Sequence, residues 1–247
     1  MRFLVLLAAV IQISAPFFIN PFGSNGGRLR QGEPSLIEPA GYAFSIWGLI
    51  YIGALVYAVW QVTPAGRANP VTGQAAIFAL MLYVGSTLWL AAAKYGPLWA
   101  TMPLIAIMTL SAAAVLIMAG RSGLVNSSPD WWFAILPFAL YAGWITCATF
   151  VNIAEVAPQY GFDRFGLSRE FYGVLSLGAA LICAVTIFFF SKGQFPYVAT
   201  VIWALTAIIA AALARDYGRE IILASGFGLI IMVGCLFYTA MLRNSGT

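Results

Sequence analysis

The stretch that decides the fold is FYGVLSLGAALICAVTIFFFS, residues 171–191, which contains no charged residue and shows no alternation of apolar and polar positions. A helix needs about 20 mostly apolar residues to cross the hydrocarbon core of a bilayer. Lipid offers no partner to backbone N–H and C=O groups, so only helices and closed barrels span it, and barrel strands alternate. The stretch therefore predicts a transmembrane helix.

Similar apolar runs follow one another along the rest of the chain. Breaks at glycine, proline and charged residues separate them. The predicted spans are residues 2–19, 42–62, 72–93, 97–120, 130–156, 171–191, 196–214 and 219–242. We interpret the first run as an uncleaved span rather than a signal peptide. The predicted fold class is all-α, a polytopic transmembrane helical bundle of about eight spans.

The composition excludes several classes of protein. Hydrophobic residues make up 62% of the chain and charged residues 8%, against about 25% charged in soluble domains. The 12 basic residues are scattered singly, so no patch exists to bind nucleic acid. Histidine is absent, which removes the commonest metal ligand and catalytic base. We predict no catalytic residue and no metal site, and the sequence does not favour an enzyme.

The basic residues also bear on orientation, because cytoplasmic loops carry an excess of them. Eight spans place both termini on one side. That side holds Arg2, Arg67, Arg121, Lys192 and Arg243, and the other holds Arg28, Arg30, Lys94, Arg164, Arg169, Arg215 and Arg219. The side with seven basic residues is predicted to face the cytoplasm, and the side with five, which holds both termini, is predicted to lie outside it. Five aromatic residues near span ends are predicted to anchor the protein at the headgroups: Trp60, Trp99, Trp131, Trp132 and Tyr197.

Aromatic residues share one face of the second predicted span, and the third span adds a tryptophan beside a serine. Phe44, Trp47 and Tyr51 stand at i, i+3 and i+7 of the second span, which places them together at about 100° per residue. In the third span Ser86 and Trp89 stand at i and i+3. Such faces are typical of ordinary helix packing, and also of a cavity for a planar hydrophobic ligand.

The fifth span carries a similar stripe that ends in a polar residue. Pro137, Tyr141, Trp144, Ala148 and Asn152 fall within roughly 80° of one another at helical periodicity. Three spans therefore each present an indole that can point to a common interior. The periodicity alone leaves packing and ligand binding both open.

Two of these stretches resemble signatures of the translocator protein family, also called tryptophan-rich sensory or TspO proteins. In PAGYAFSIWGLIY, residues 39–51, the matching positions are Gly41, Phe44, Trp47 and Tyr51. In PFALYAGWITCATFVN, residues 137–152, they are Pro137, Trp144, Ala148, Thr149 and Asn152. The chain keeps Trp89 where the family has Asn-x-x-Trp, but Ser86 replaces the amide. Val156 and Ala157 stand where the family has a Trp-Arg ending.

The resemblance covers about residues 1–158, which implies a TspO-like five-helix membrane core. Residues 159–247 would then form three additional transmembrane helices. In the seventh span Ala207 and Ala211 lie one turn apart and predict close helix packing. The loop at 20–41 takes the place of the family's lid over its pocket.

The resemblance implies binding of a porphyrin, another tetrapyrrole or a similar planar hydrophobic ligand, for sensing or transport. Trp47 and Trp144 take the places of the two pocket tryptophans, with Asn152, Ser86 or Tyr141 supplying a polar contact. The predicted ligand-binding residues are Phe44, Trp47, Tyr51, Ser86, Trp89, Tyr141, Trp144, Ala148 and Asn152. The predicted location is a bacterial inner membrane.

Two other functions remain open. The three additional spans could dock an accessory or structural subunit into a photosynthetic or respiratory membrane complex. Indoles beside a bound photosensitiser could also take part in light-dependent porphyrin degradation. The predicted partners are the lipid bilayer, a hydrophobic small molecule, and either a second copy of the chain or a membrane complex.

Overall fold

A computed structural model describes residues 1–19, 35–122, 128–162, 166–215 and 218–244, and this part of the chain contains helices and no strand. The helices are α1 (Arg2–Ile19), α2 (Ile46–Trp60), α3 (Pro64–Ala68), α4 (Pro70–Tyr95), α5 (Thr101–Arg121), α6 (Leu136–Val156), α7 (Arg169–Phe190), α8 (Phe195–Ala214) and α9 (Arg219–Asn244). A 3₁₀ turn, Gly41–Ser45, leads into α2, and a π-helical turn, Trp131–Ile135, leads into α6.

In the part of the chain that the structure describes, eight helical segments are long and apolar enough to cross a membrane, and they coincide with the eight predicted spans within a few residues. The all-α, eight-span fold class is therefore confirmed.

Local signals fix several helix starts. Asn69 accepts a hydrogen bond from the Val71 N–H at 2.8 Å ahead of Pro70, and Ser168 accepts one from the Phe171 N–H at 3.2 Å. The short helix α3 lies in a connection and was not predicted.

α6 is the central helix of the bundle. Among the described residues, 72% of the most apolar part of the segment Trp131–Tyr160, which contains α6, is buried. The corresponding share is 28% for α7 and for α9. It packs against α2, α5, α7 and α8. The helix that carries the most specific sequence stripe is therefore surrounded by neighbours, while α7 and α9 form the periphery.

α8 packs closely against α6 because α6 has a glycine at the crossing. A Cβ atom added to Gly143 would lie 2.7 Å from the Tyr197 carbonyl oxygen and 2.8 Å from Cβ of Thr200. Residues from α6 and α8 consequently belong to one continuous apolar core. The sequence predicts a boundary at residue 158 between the five-helix core and the three additional helices. α8 follows that boundary, yet it packs directly against α6, which precedes it.

Three of the five predicted headgroup anchors are wrong. Trp60, Trp131 and Tyr197 have exposed fractions of 7%, 9% and 0%, so their rings face other helices. Trp99 and Trp132 are exposed, as the prediction requires. Closeness to a span end gives the depth of a residue in the membrane, but it does not say whether the residue faces lipid or protein.

Candidate functional site

A cavity of about 430 Å³ lies inside the bundle, within the range of roughly 300–1,000 Å³ of small-molecule sites. Eight crossings in chain order place the end of α1, the start of α2 and the ends of α4, α6 and α8 on the same side of the membrane. Pro16, Trp47, Trp89, Asn152 and Ile208 come from those parts of the helices and line the cavity. The cavity therefore occupies the half of the bundle next to the segment that precedes α2.

Aromatic rings from α4, α6 and the segment that leads into and includes α2 form one part of the cavity wall. The rings of Trp47 and Trp144 lie 6.5 Å apart at 82°, and Phe44 meets Trp144 edge to face at 5.6 Å. Tyr51 lies against Trp47 at 5.3 Å. The lining residues that had been predicted are Phe44, Trp47, Tyr51, Ser86, Trp89, Trp144, Ala148 and Asn152. The structure thus brings together eight of the nine predicted residues around one space.

Tyr141 is the exception, because it lies behind the wall rather than in it. Its side chain is buried, and its hydroxyl donates to Oε1 of Gln12 in α1 at 3.1 Å. Its ring meets Trp47 edge to face at 5.8 Å, and Tyr141 is not among the residues that line the cavity. The helical stripe is broad enough to hold residues on both sides of this boundary. We therefore leave Tyr141 out of the candidate site.

Tyr141→Phe is expected to lower the free energy of unfolding by about 1 kcal/mol, because it removes one buried hydrogen bond and keeps the ring. The measurement is a denaturant titration of the protein in detergent. Tyr95→Phe is the matched control, since Tyr95 is exposed near the end of α4. Equal stability of the two variants would contradict the role given to the Tyr141 hydroxyl.

Two buried polar atoms belong to residues that line the cavity and find no hydrogen-bond partner among the described residues: Nε1 of Trp89 and Oδ1 of Asn152. The indole N–H is a donor, and the amide oxygen is an acceptor. Leaving such a group unsatisfied costs roughly 1–3 kcal/mol, so a bound molecule that supplied the missing partners would be stabilised. Both atoms are themselves buried beside the cavity, so a ligand would reach them only after a small movement of the Trp89 or Asn152 side chain.

α8 completes the cavity, with Ala204 and Ile208 in its wall. It also holds the mouth segment, which we define as residues 35–45. The Ala40 N–H donates to the Ala207 carbonyl at 3.0 Å, and the Trp203 indole N–H donates to the Ala43 carbonyl at 3.2 Å. These bonds tie the segment beside the cavity to a helix far away in sequence.

An ion pair at the membrane surface adds to this attachment. Arg215 follows α8, and its Nη2 lies 3.0 Å from Oε2 of Glu38 in the mouth segment. Glu38, Pro39 and Gly41, which belong to the predicted 20–41 lid, line the cavity. Residues 20–34, the remainder of the predicted lid, lie outside the described residues.

Sequence reasoning missed the contribution of α8 to the site. The available signal was the alanine face at Ala207 and Ala211, which predicts close packing but does not name the partner. Both alanines are buried in the structure. Small side chains at this face let the mouth segment approach the backbone of α8.

The fold and the cavity together define a class of protein, an integral α-helical membrane protein with a cavity of apolar and aromatic side chains in one half of its bundle. Within that class, the chain belongs to the family described as TSPO-like protein, whose sequence profile it matches over residues 2–238. The matched range includes α7, α8 and most of α9 as well as the first five spans. No curated protein and no solved structure matches the chain.

Proposed function

We propose that this TSPO-like protein binds a planar hydrophobic ligand, a porphyrin or another ring of similar shape, for sensing or transport. The observation that carries the proposal is the cavity itself, in which Trp47, Trp89 and Trp144 converge from three helices. Indole rings provide large flat apolar surfaces that favour stacked or edge contacts with another ring. The cavity volume of about 430 Å³ suits a small-molecule ligand.

The polar atoms of the cavity support the same proposal. A flat ring enclosed by apolar side chains gains orientation from a few well-placed hydrogen bonds. The Trp89 N–H and the Asn152 amide oxygen are buried without partners in the described part of the chain. A ring that carried both an acceptor and a donor would satisfy both atoms if the Trp89 and Asn152 side chains turned toward the cavity.

The test is a titration of the purified protein in detergent with a porphyrin, followed by the shift of the porphyrin absorption band. The double variant Trp47→Phe, Trp144→Phe is expected to bind about tenfold or more weakly, because each change removes part of a stacking surface. Trp132→Phe is the matched control, since Trp132 is exposed and lies outside the cavity lining.

Unchanged affinity in the double variant would contradict the assignment of the ligand to this cavity. Failure of the unmodified protein to bind any planar ring would overturn the proposed function. A melting curve followed by circular dichroism shows whether the double variant keeps its helices. The control variant establishes that loss of an indole elsewhere does not change binding.

A further inference from the structure

We propose that a groove between α7 and α9, on the outer surface of the bundle, holds an acyl chain of a membrane phospholipid and retains that lipid when detergent extracts the protein. The groove has a volume of about 1310 Å³, against about 430 Å³ for the cavity proposed for the planar ligand. The two share no lining residue, and Leu205 of α8 forms part of the floor of the groove. The proposal therefore concerns a second site.

A glycine on each of the two helices gives the groove its depth. Gly178 is exposed on α7, and a Cβ atom added there would meet no atom of the described chain within 4 Å. On α9, a Cβ atom added to Gly228 would lie 3.2 Å from Cδ1 of Leu205, so α9 lies close against the floor. A slender apolar chain in the groove would contact three helices at once.

The groove is continuous with the surface that the protein presents to the bilayer. Ile182 of α7 and Phe227 of α9 line it and have exposed fractions of 71% and 62%. Both helices are long and apolar enough to span a membrane, and 28% of the most apolar part of each is buried. An apolar concavity in this surface is filled by hydrocarbon rather than by water, because an ordered water needs several polar partners.

The groove is polar at one end, as a phospholipid is. Ser168, Glu170 and Glu220 line that end, where α7 and α9 begin. The two helices cross the membrane in the same direction because α8 returns between them, so both starts lie at the same surface. The rest of the lining is apolar except for Thr186, whose hydroxyl donates to the Ile182 carbonyl at 2.7 Å. The polar end therefore lies at the headgroups and the remainder in the hydrocarbon.

The length of the groove favours an acyl chain over a transmembrane helix of a partner. Its lining covers residues 170–186 of α7 and 220–231 of α9, which is about 24 Å and about 17 Å of helix at a rise of 1.5 Å per residue. Beyond the far end, Phe189 of α7 meets Tyr238 of α9 edge to face at 6.0 Å. A partner helix would pack along the whole hydrocarbon core of about 30 Å, whereas a lipid of one leaflet reaches about half of it.

The first measurement is the mass of the intact protein, purified from membranes in a mild detergent that is removed in the mass spectrometer. The unmodified protein is expected to retain a single phospholipid per chain. Gly178→Leu places a side chain in the groove and is expected to reduce the lipid-bound fraction several-fold, because it removes the space for the acyl chain. Gly234→Leu is the matched control, since Gly234 is exposed on α9, has open space around it and does not line the groove.

The second measurement locates the lipid by photolabelling in reconstituted vesicles. The probe is a phosphatidylcholine with a diazirine at the middle of one acyl chain. Peptides from α7 and α9 are expected to be labelled several-fold more than the peptide of α1 that carries Leu7 and Val10, which are exposed on the outside of the bundle. Gly178→Leu is expected to abolish this excess and to leave the labelling of α1 unchanged, while Gly234→Leu changes neither.

Three results would overturn the inference. Absence of a retained lipid, together with equal labelling of α1, α7 and α9, would make the groove a surface like any other in contact with the bilayer. An unchanged lipid-bound fraction in Gly178→Leu would place the lipid elsewhere. A mass of two chains that Gly178→Leu reduces to one would show that a second copy of the protein occupies the groove. The proposed function stands under each of these results, because the groove and the cavity are separate.

Discussion

Ala148→Phe is expected to reduce porphyrin binding by at least about a hundredfold while the protein keeps its fold. Ala148 lies one helical turn after Trp144 on α6 and lines the cavity, so a phenyl ring at this position would occupy the space proposed for the ligand. Its side chain is only partly buried and borders the cavity, so the larger group is expected to extend into that space. Loss of shape complementarity removes most contacts between ligand and wall at once.

The measurement for Ala148→Phe is the same porphyrin titration, with a melting curve to check the fold. Ala240→Phe is the matched control, because Ala240 is exposed on the outer helix α9 and does not line the cavity. Normal binding by Ala148→Phe would show that the ligand lies elsewhere. A loss of helical structure in this variant but not in the control would show that the position is occupied by protein packing instead.

The eight spans could be predicted because lipid allows few alternatives. An uncharged run such as residues 171–191 can satisfy its backbone in a bilayer only as a helix, whatever its neighbours are. The aromatic faces could be predicted for a related reason. The spacing of Phe44, Trp47 and Tyr51 fixes their common face from the geometry of one helix alone.

What could not be predicted depends on the arrangement of different helices. Periodicity places Tyr141 and Trp144 on one side of α6, but the position of α1 decides that Tyr141 binds Gln12 while Trp144 faces the cavity. In the same way, nothing local indicates that Trp60 faces protein and Trp132 faces outward. These differences come from contacts between residues that are far apart in the sequence.

The contribution of α8 is the largest of these long-range effects. The mouth segment precedes α2, yet its backbone bonds to Ala207 and receives a bond from Trp203, more than 150 residues later by their numbers. The cavity wall and the mouth segment therefore both depend on α8. A shorter chain without this helix would leave that side of the cavity open. We conclude that the packing of α8 against α6 determines whether the cavity exists in the form described.

Gly143→Ala tests this dependence and is expected to lower the free energy of unfolding by roughly 1–3 kcal/mol, the usual cost of overpacking a close contact. The added Cβ would lie 2.7 Å from the Tyr197 carbonyl oxygen, and a backbone atom cannot move aside as the end of a flexible side chain can. Relief of the clash requires α8 to shift away from α6. Because Ala204 and Ile208 would move with it, porphyrin affinity is expected to fall as well.

Gly178→Ala is the matched control for this substitution, because it lies within α7 and a Cβ there meets no atom within 4 Å. Alanine favours a helix over glycine by about 1 kcal/mol, so the control is expected to be as stable as the unmodified protein or slightly more stable. The measurement is a denaturant titration of both variants in the same detergent, followed by the porphyrin titration. If Gly143→Ala matched the control in stability and in affinity, the cavity would not need the close approach of α8 to α6 at this position.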